Sequence, residues 1–255
     1  MSIEIVTIPC LVDNYAYIIH DTSTKKNILI DAPELSPILQ ALDERNWKLD
    51  YILITHHHSD HINAVEKLQK EFNSLICGAQ KDAERLPKLD ISLSDKEKFS
   101  VGSLIFKCFE VPGHTAGHIA FYCQSKDILF TGDSLMALGC GRLFEGTPEE
   151  MWASLTKLMY LPDSTMIYSG HEYAYQNAKF ALSIDSENNA LSKRAKEIFQ
   201  NAETATPNVP VSLELEKSTN PFLRSGHENI KSKLDMFGKN SLEVFTKLRE
   251  MKDLF

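Results

Sequence analysis

The sequence predicts an α/β fold over its first two-thirds and a mostly helical region over its last third. Short apolar runs bounded by turns recur between residues 3 and 169, and helical apolar spacing lies between some of them. After about His171 the composition shifts toward Ala, Lys, Glu, Asn and Gln. Strands interleaved with helices indicate sheets covered by helices. The shift divides the chain into an α/β domain at about residues 1–170 and a helical domain at about 171–255.

Strands are expected at residues 3–8, 15–20, 27–30, 51–54, 104–111, 119–123, 127–130 and 166–169, where apolar and β-prone residues cluster. Ile62, Val65, Leu68 and Phe72 share one helical face. Thr147-Pro148-Glu149-Glu150 opens another helix with a capping box and Pro at its first position. Met151, Leu155 and Leu158 continue its apolar face. Residues 175–205 read as helix, residues 206–210 as a Pro-containing linker, and residues 240–255 as a last helix capped by Asn240 and Glu243.

Composition narrows the classes. With 43% hydrophobic and 24% charged residues over 255 positions, the chain has an ordinary globular make-up and can bury a core without staples. A net charge of −8 argues against a nucleic-acid binder. No apolar stretch reaches the ~20 residues of a membrane span. The start, MSIEIVTIPC, lacks the regions of a signal peptide. Five cysteines without a C-x-x-C pair suit buried free thiols in a reducing cytoplasm.

The chemistry concentrates in Thr55-His56-His57-His58-Ser59-Asp60-His61, which comes after a continuous apolar run. In extended chain, side chains two apart point the same way. His56 and His58 therefore converge on one ion, while His57 faces away. Asp60 and His61 come as the chain turns into a helix and reach a second ion. Downstream, His114, Asp133 and His171 each follow an apolar run and a glycine. Loops at the carboxyl ends of strands are where α/β folds build sites. His56, His58 and His114 then make one set, Asp60, His61 and His171 a second, and Asp133 bridges them. Each ion has four protein ligands and an open position for a shared hydroxide. Packing does not explain four such donors within six residues, because buried imidazole and carboxylate need partners. His118 reads as structural or as supporting a ligand, with ligation the weaker alternative. Asp31 reads either as a hydrogen-bond partner of a ligand histidine or as a turn residue. Isolated histidines such as His20 and His227 read as surface or satisfied core residues.

H-x-H-x-D-H is the signature of the metallo-β-lactamase superfamily, which this chain resembles over nearly its whole length. Within it the chain is similar to glyoxalase II, the hydroxyacylglutathione hydrolases. The motifs that carry this are Asp13-Asn14-Tyr15-Ala16-Tyr17, Pro112-Gly113-His114-Thr115-Ala116-Gly117-His118, Gly132-Asp133-Ser134-Leu135 and Gly139-Cys140-Gly141-Arg142-Leu143-Phe144-Glu145-Gly146. Gly170-His171-Glu172-Tyr173 and Arg249-Glu250-Met251-Lys252-Asp253 add to them, and Thr219-Asn220-Pro221-Phe222-Leu223-Arg224 looks like bacterial members. The resemblance implies an αββα sandwich with a C-terminal helical domain and a glutathione site partly supplied by that domain. Arg142 and Tyr173 would line it, and Arg249 and Lys252, three apart on a helix, would hold the glycine carboxylate. A solvated charged face is the alternative for that pair. Some members have Tyr where Phe144 stands and Lys where Arg142 stands. Phe144 lacks the hydroxyl, and Arg for Lys keeps charge but alters geometry.

The expected activity is hydrolysis of S-(2-hydroxyacyl)glutathione, chiefly S-D-lactoylglutathione, to D-lactate and glutathione by a hydroxide bridging two divalent metal ions. This is the second step of methylglyoxal degradation. Zinc is the default metal, with iron or manganese as alternatives. A cytoplasmic monomer without nucleic-acid or membrane partners is expected. The alternative enzyme readings are a one-iron persulfide dioxygenase, against which Asp60, His61 and His171 together and the helical C-terminus argue, and another hydrolase of the fold. A superfamily nuclease would need a basic stripe, and a degenerate metal-binding scaffold would lack a ligand; neither holds.

Overall fold

The structure, a computed structural model, describes residues 2–255 and falls into two compact units. The first comprises the chain up to residue 110 together with 116–132; the second comprises 111–115 and 133–255.

The first unit opens with β1 (Ile3–Cys10), β2 (Asn14–Asp21) and β3 (Asn27–Ile30), paired antiparallel. α1 (Leu35–Asp43) crosses over to β4 (Tyr51–Leu53), which lies parallel to β3. Parallel neighbours need such a crossover. Two short helices, α2 (Ser59–Ile62) and α3 (Val65–Phe72), then lead to β5 (Leu75–Ala79), parallel to β4. β6 (Ile91–Leu93) completes the order β1-β2-β3-β4-β5-β6. Ile18, Leu29, Ile52 and Ile76 from these strands pack with Ile38 and Leu42 of α1 and Val65 and Leu68 of α3. The same unit holds β7 (Lys98–Val101), β8 (Leu104–Glu110), β9 (Ile119–Cys123) and β10 (Ile128–Gly132), consecutive antiparallel neighbours.

The apolar face at Ile62, Val65, Leu68 and Phe72 predicts one helix, and the structure has two. The segment after β3 competes for the backbone: Ala32 N–H donates to His61 O at 2.8 Å, and Ala64 N–H donates to Ala32 O at 2.9 Å. α2 ends there, and α3 restarts at Val65.

In the second unit β11 (Leu135–Met136) and β12 (Gly139–Cys140) form a small hairpin. α4 (Pro148–Met159) begins with the expected capping box of Thr147 and Glu150. β13 (Met166–Ser169) precedes α5 (Ala174–Ile184) and α6 (Asn189–Glu203). The expected helix over 175–205 is thus interrupted: Asn188 caps α6 by accepting from Leu191 N–H and donates to Asp185, which also takes Arg224 Nε. The linker reaches β14 (Val211–Ser212), which pairs antiparallel with β13. α7 (Leu213–Thr219), α8 (Glu228–Lys233) and α9 (Ser241–Leu254) complete the chain, α9 with the expected Asn240–Glu243 capping box. All five cysteines are free and buried. Among the described residues no helix is long and apolar enough to cross a membrane.

Asp21 shows how polar groups lock the first unit. Its carboxylate accepts from Ser23 N–H at 3.0 Å, Thr24 Oγ1 at 2.6 Å and Ser103 N–H at 2.7 Å, joining the β2–β3 and β7–β8 turns. Burial opposes its ionisation, but hydrogen bonds from Ser23, Thr24 and Ser103 outweigh it and hold its pKa well below the usual carboxylate range. A lowered native pKa gives stability that is full above the unfolded value of about 3.9 and lost as pH falls toward the native value. Asp21→Ala should therefore cost about 1–3 kcal/mol at pH 7. Urea midpoints at pH 7 and pH 3 should show the gap to the parent protein narrowing in acid; a pH-independent gap contradicts this.

Candidate metal centre

The first unit carries four of the expected donors. Ile54 N–H still donates to Cys77 O at 2.9 Å, so the chain stays extended past β4 before turning into α2. Asp31 organises that turn. Its backbone is left-handed (φ 54°) at the end of β3, a region Asp tolerates better than most residues. Its Oδ1 accepts from Thr55 N–H at 2.8 Å. Its Oδ2 accepts from Thr55 Oγ1 and from His61 Nδ1, both at 2.8 Å. Of the two readings of Asp31, the partner of His61 is the one present.

These bonds set the imidazole tautomers. His61 Nδ1 donates to Asp31, which leaves Nε2 with a lone pair. Thr55 Oγ1 gives its proton to Asp31 and accepts from His56 Nδ1 at 3.0 Å, so His56 also presents Nε2. That atom lies 3.1 Å from His58 Nδ1. Two ring nitrogens aimed at each other at this distance suit a shared cation. Asp60 Oδ2 lies 3.6 Å from His61 Nε2 and accepts from Asn14 Nδ2 at 3.0 Å. Asn14 also donates to the Asp60 carbonyl, fixing the residue from both ends.

His57 turns away, as alternation predicts. Its Nδ1 meets Asp82 Oδ2 at 3.0 Å, and Arg85 Nε donates to the same carboxylate at 2.7 Å. His118 is fully buried and its ring stacks on His56, with centroids 4.6 Å apart.

The second unit carries the other three donors. Asp133 Oδ2 lies 3.4 Å from His114 Nε2 and 3.2 Å from His171 Nε2. His114 Nδ1 donates to Arg142 O at 2.8 Å, so Nε2 again carries the lone pair. A Cβ on Gly141 would run into the Asp133 carbonyl, so only glycine lets the chain pass here. Phe144 is exposed and meets the His114 ring edge-on at 5.3 Å. Tyr173 stacks on His171 with centroids 4.7 Å apart. Each unit thus presents imidazole and carboxylate donors, types that suit a metal ion.

Of the expected substrate residues of this unit, Arg142 and Arg249 meet at Asp253. Its Oδ1 lies 2.8 Å from Arg249 Nη2 and 3.9 Å from Arg142 Nε. Arg249 is no solvated residue: it is 4% exposed, donates from Nη1 to Cys140 O at 2.9 Å and sits over the Phe222 ring. Its Nε has no hydrogen-bond partner among the described residues. Lys252 is half-buried, its Nζ 5.6 Å from the Phe180 ring centre. Burial, and then the positive charge of Arg249 and Arg142, lower its pKa, while Asp253 opposes them. Sequence reasoning assigned no role to Asn14, Asp82 or Asp253. Asn14 and Asp82 act on partners 46 and 25 positions away, which leaves no local pattern.

Known proteins give the family. Residues 11–171 match the metallo-beta-lactamase superfamily, and residues 172–255 match the hydroxyacylglutathione hydrolase C-terminus. The chain is 52% identical to the hydroxyacylglutathione hydrolase of Ruegeria pomeroyi over the full length of both. It is 42% identical to that of Rhizobium meliloti, covering 100% of this chain and 99% of that protein. Among solved structures, ETHE1 from Myxococcus xanthus matches with a TM-score of 0.61 and 28% identity, covering 89% of this chain and 100% of that one. The BLEG-1 B3 metallo-beta-lactamase matches in fold, with a TM-score of 0.66 and 22% identity over 86% of this chain and 99% of that one. With both halves matched by family and relatives aligned end to end, the chain belongs to the hydroxyacylglutathione hydrolase family of the metallo-β-lactamase superfamily.

Proposed function

We propose that this protein hydrolyses the thioester of S-(2-hydroxyacyl)glutathione, chiefly S-D-lactoylglutathione, to a 2-hydroxy acid and free glutathione. This is the second step of methylglyoxal degradation. The observation that carries the reading is the cation cluster of Arg142, Arg249 and Lys252, in a chain whose C-terminal third matches the hydroxyacylglutathione hydrolase C-terminus. We assign His56, His58 and His114 to one ion, Asp60, His61 and His171 to the second, and Asp133 to both. Zinc is the metal we assign, with iron and manganese as the alternatives that these donors also suit.

When bound, two such ions supply Lewis acidity and lower the pKa of water from about 15.7 to about 7. The residues do the rest. Asp31, Thr55 and the Arg142 carbonyl keep the Nδ1 protons of His61, His56 and His114 turned away from the donors. Asn14 orients Asp60. Arg249 and Lys252 take the peptide carboxylate, with Arg142 and Tyr173 lining the same site. The leaving thiol has a pKa near 8.5, so its thiolate departs with little help from an acid. No serine or cysteine nucleophile is needed. A monomer in the cytoplasm, without nucleic-acid or membrane partners, accords with the net charge of −8 and the free cysteines.

The direct test is turnover of S-D-lactoylglutathione with metal analysis of the same sample. His58→Ala or Asp133→Ala should lower bound metal and reduce turnover by more than about 100-fold; full turnover in either variant overturns the ligand assignment. Lys252→Ala should raise KM about tenfold or more with kcat nearly unchanged, since a charge-assisted bond contributes about 1.5–3 kcal/mol. Lys252 binds the carboxylate only while charged, and its pKa is lowered. KM of the parent protein should therefore rise with pH before the ordinary lysine value of about 10.4 is reached. That rise should be absent from Lys252→Ala; an unchanged KM in the variant removes Lys252 from the site.

A further inference from the structure

The hairpin of β11 and β12 links Asp133 to Arg142, and side chains from the helices grip its backbone almost residue by residue. Asn220 Nδ2 donates to Gly139 O at 3.0 Å and to Met136 O at 3.4 Å. Asn177 Nδ2 donates to Ala137 O at 3.0 Å, packed so that a Cβ on Gly139 would stand 2.5 Å from it. Leu138, with φ 56°, donates its N–H to Glu216 Oε2 at 3.1 Å. Arg249 takes Cys140 O. Glu216 and Asn220 are fully buried and bonded to each other at 2.9 Å. Arg194 pairs with Glu216 and donates to Thr219 Oγ1 at 2.7 Å.

A buried carboxylate and amide are costly unless every bond is satisfied. A buried ion pair is also weak evidence for stability, since apolar residues often serve as well. Here the polar groups are directed onto a six-residue connection that starts two residues after Asp133 and ends two before Arg142. The Arg142 carbonyl in turn orients His114.

We propose that Asn220 and Glu216 are positioning residues: by clamping the hairpin they set the placement of Asp133 at its start and of Arg142 and His114 at its end. The inference rests on the ligand and substrate roles proposed above, and it assigns the α7 end a part in both. Support of this kind around metal ligands typically changes metal affinity or activity 10–100-fold when lost.

The test compares Asn220→Ala with Asn188→Ala, which removes a helix cap in the same unit and touches no hairpin atom. Zinc release to a competing chelator, kcat and KM are measured well below the melting temperature of each variant. Asn220→Ala should release zinc about 10–100-fold more readily and lose kcat/KM in proportion. Asn188→Ala should lower the melting temperature and leave zinc release, kcat and KM unchanged. Folded Asn220→Ala with parental zinc release and kinetics overturns the proposal, as does an equal loss in Asn188→Ala. If Asn220→Ala does not fold, Glu216→Gln carries the same comparison with a smaller expected loss of severalfold, and parental values there overturn it. If the parent protein does not hydrolyse the thioester, the proposed function fails, while zinc release still decides the positioning role.

Discussion

The carboxylate of Asp31 is the contact on which the first unit's histidine and aspartate cluster depends. Its left-handed backbone ends β3 and turns the side chain toward the end of the parallel neighbour, β4. From there one carboxylate satisfies a peptide N–H, a hydroxyl and an imidazole at once. A non-glycine residue in this conformation costs of order 1–3 kcal/mol, which the surrounding bonds must offset. The return is control over protons. Asp31 acts on His61 directly and on His56 through Thr55, so the lone pairs of two donors are fixed by one acidic residue that is no ligand itself. Ile119 N–H donates to Thr55 O at 2.9 Å, so β9 is tied to the same point.

Much of this was legible in the sequence, and the reason is geometric. The side-chain period of two in extended chain separates His56 and His58 from His57, and the structure gives His57 to Asp82. Strands at 27–30, 119–123 and 166–169 coincide with the apolar runs, and both capping boxes form where Thr147 and Asn240 announce them. The features hidden from sequence depend on backbone competition or on long separations. The continuous apolar face from Ile62 to Phe72 does not reveal that Ala32 breaks the helix with two backbone hydrogen bonds. Nor does anything around Arg249 reveal that its guanidinium reaches a carbonyl 109 positions away. Hydrogen bonds to carbonyls place no demand on the accepting side chain, so they leave no trace in its identity.

The two units build their donors by different means. In the first, the proposed ligands and their supports come from strand ends that are neighbours in one sheet, and the strand pairing itself brings them close. In the second, a short hairpin with almost no ladder of its own is shaped by buried side chains from α5, α7 and α9. Strand pairing alone leaves such a segment underdetermined, and helices that come much later in the chain define it. The helices of this unit thus shape the connection between Asp133 and Arg142.

The burial of every cysteine has a consequence for chemical durability. Burial raises the pKa of Cys10 and Cys77 to about 12, and it raises those of Cys123 and Cys140 as well. At pH 7 a thiol with a pKa of 12 is ionised on the order of once in 10⁵ molecules, and the thiolate is the reactive form. A protein that releases a free thiol peptide meets disulfide exchange. Burial and suppressed ionisation slow such exchange at Cys10, Cys77, Cys123 and Cys140.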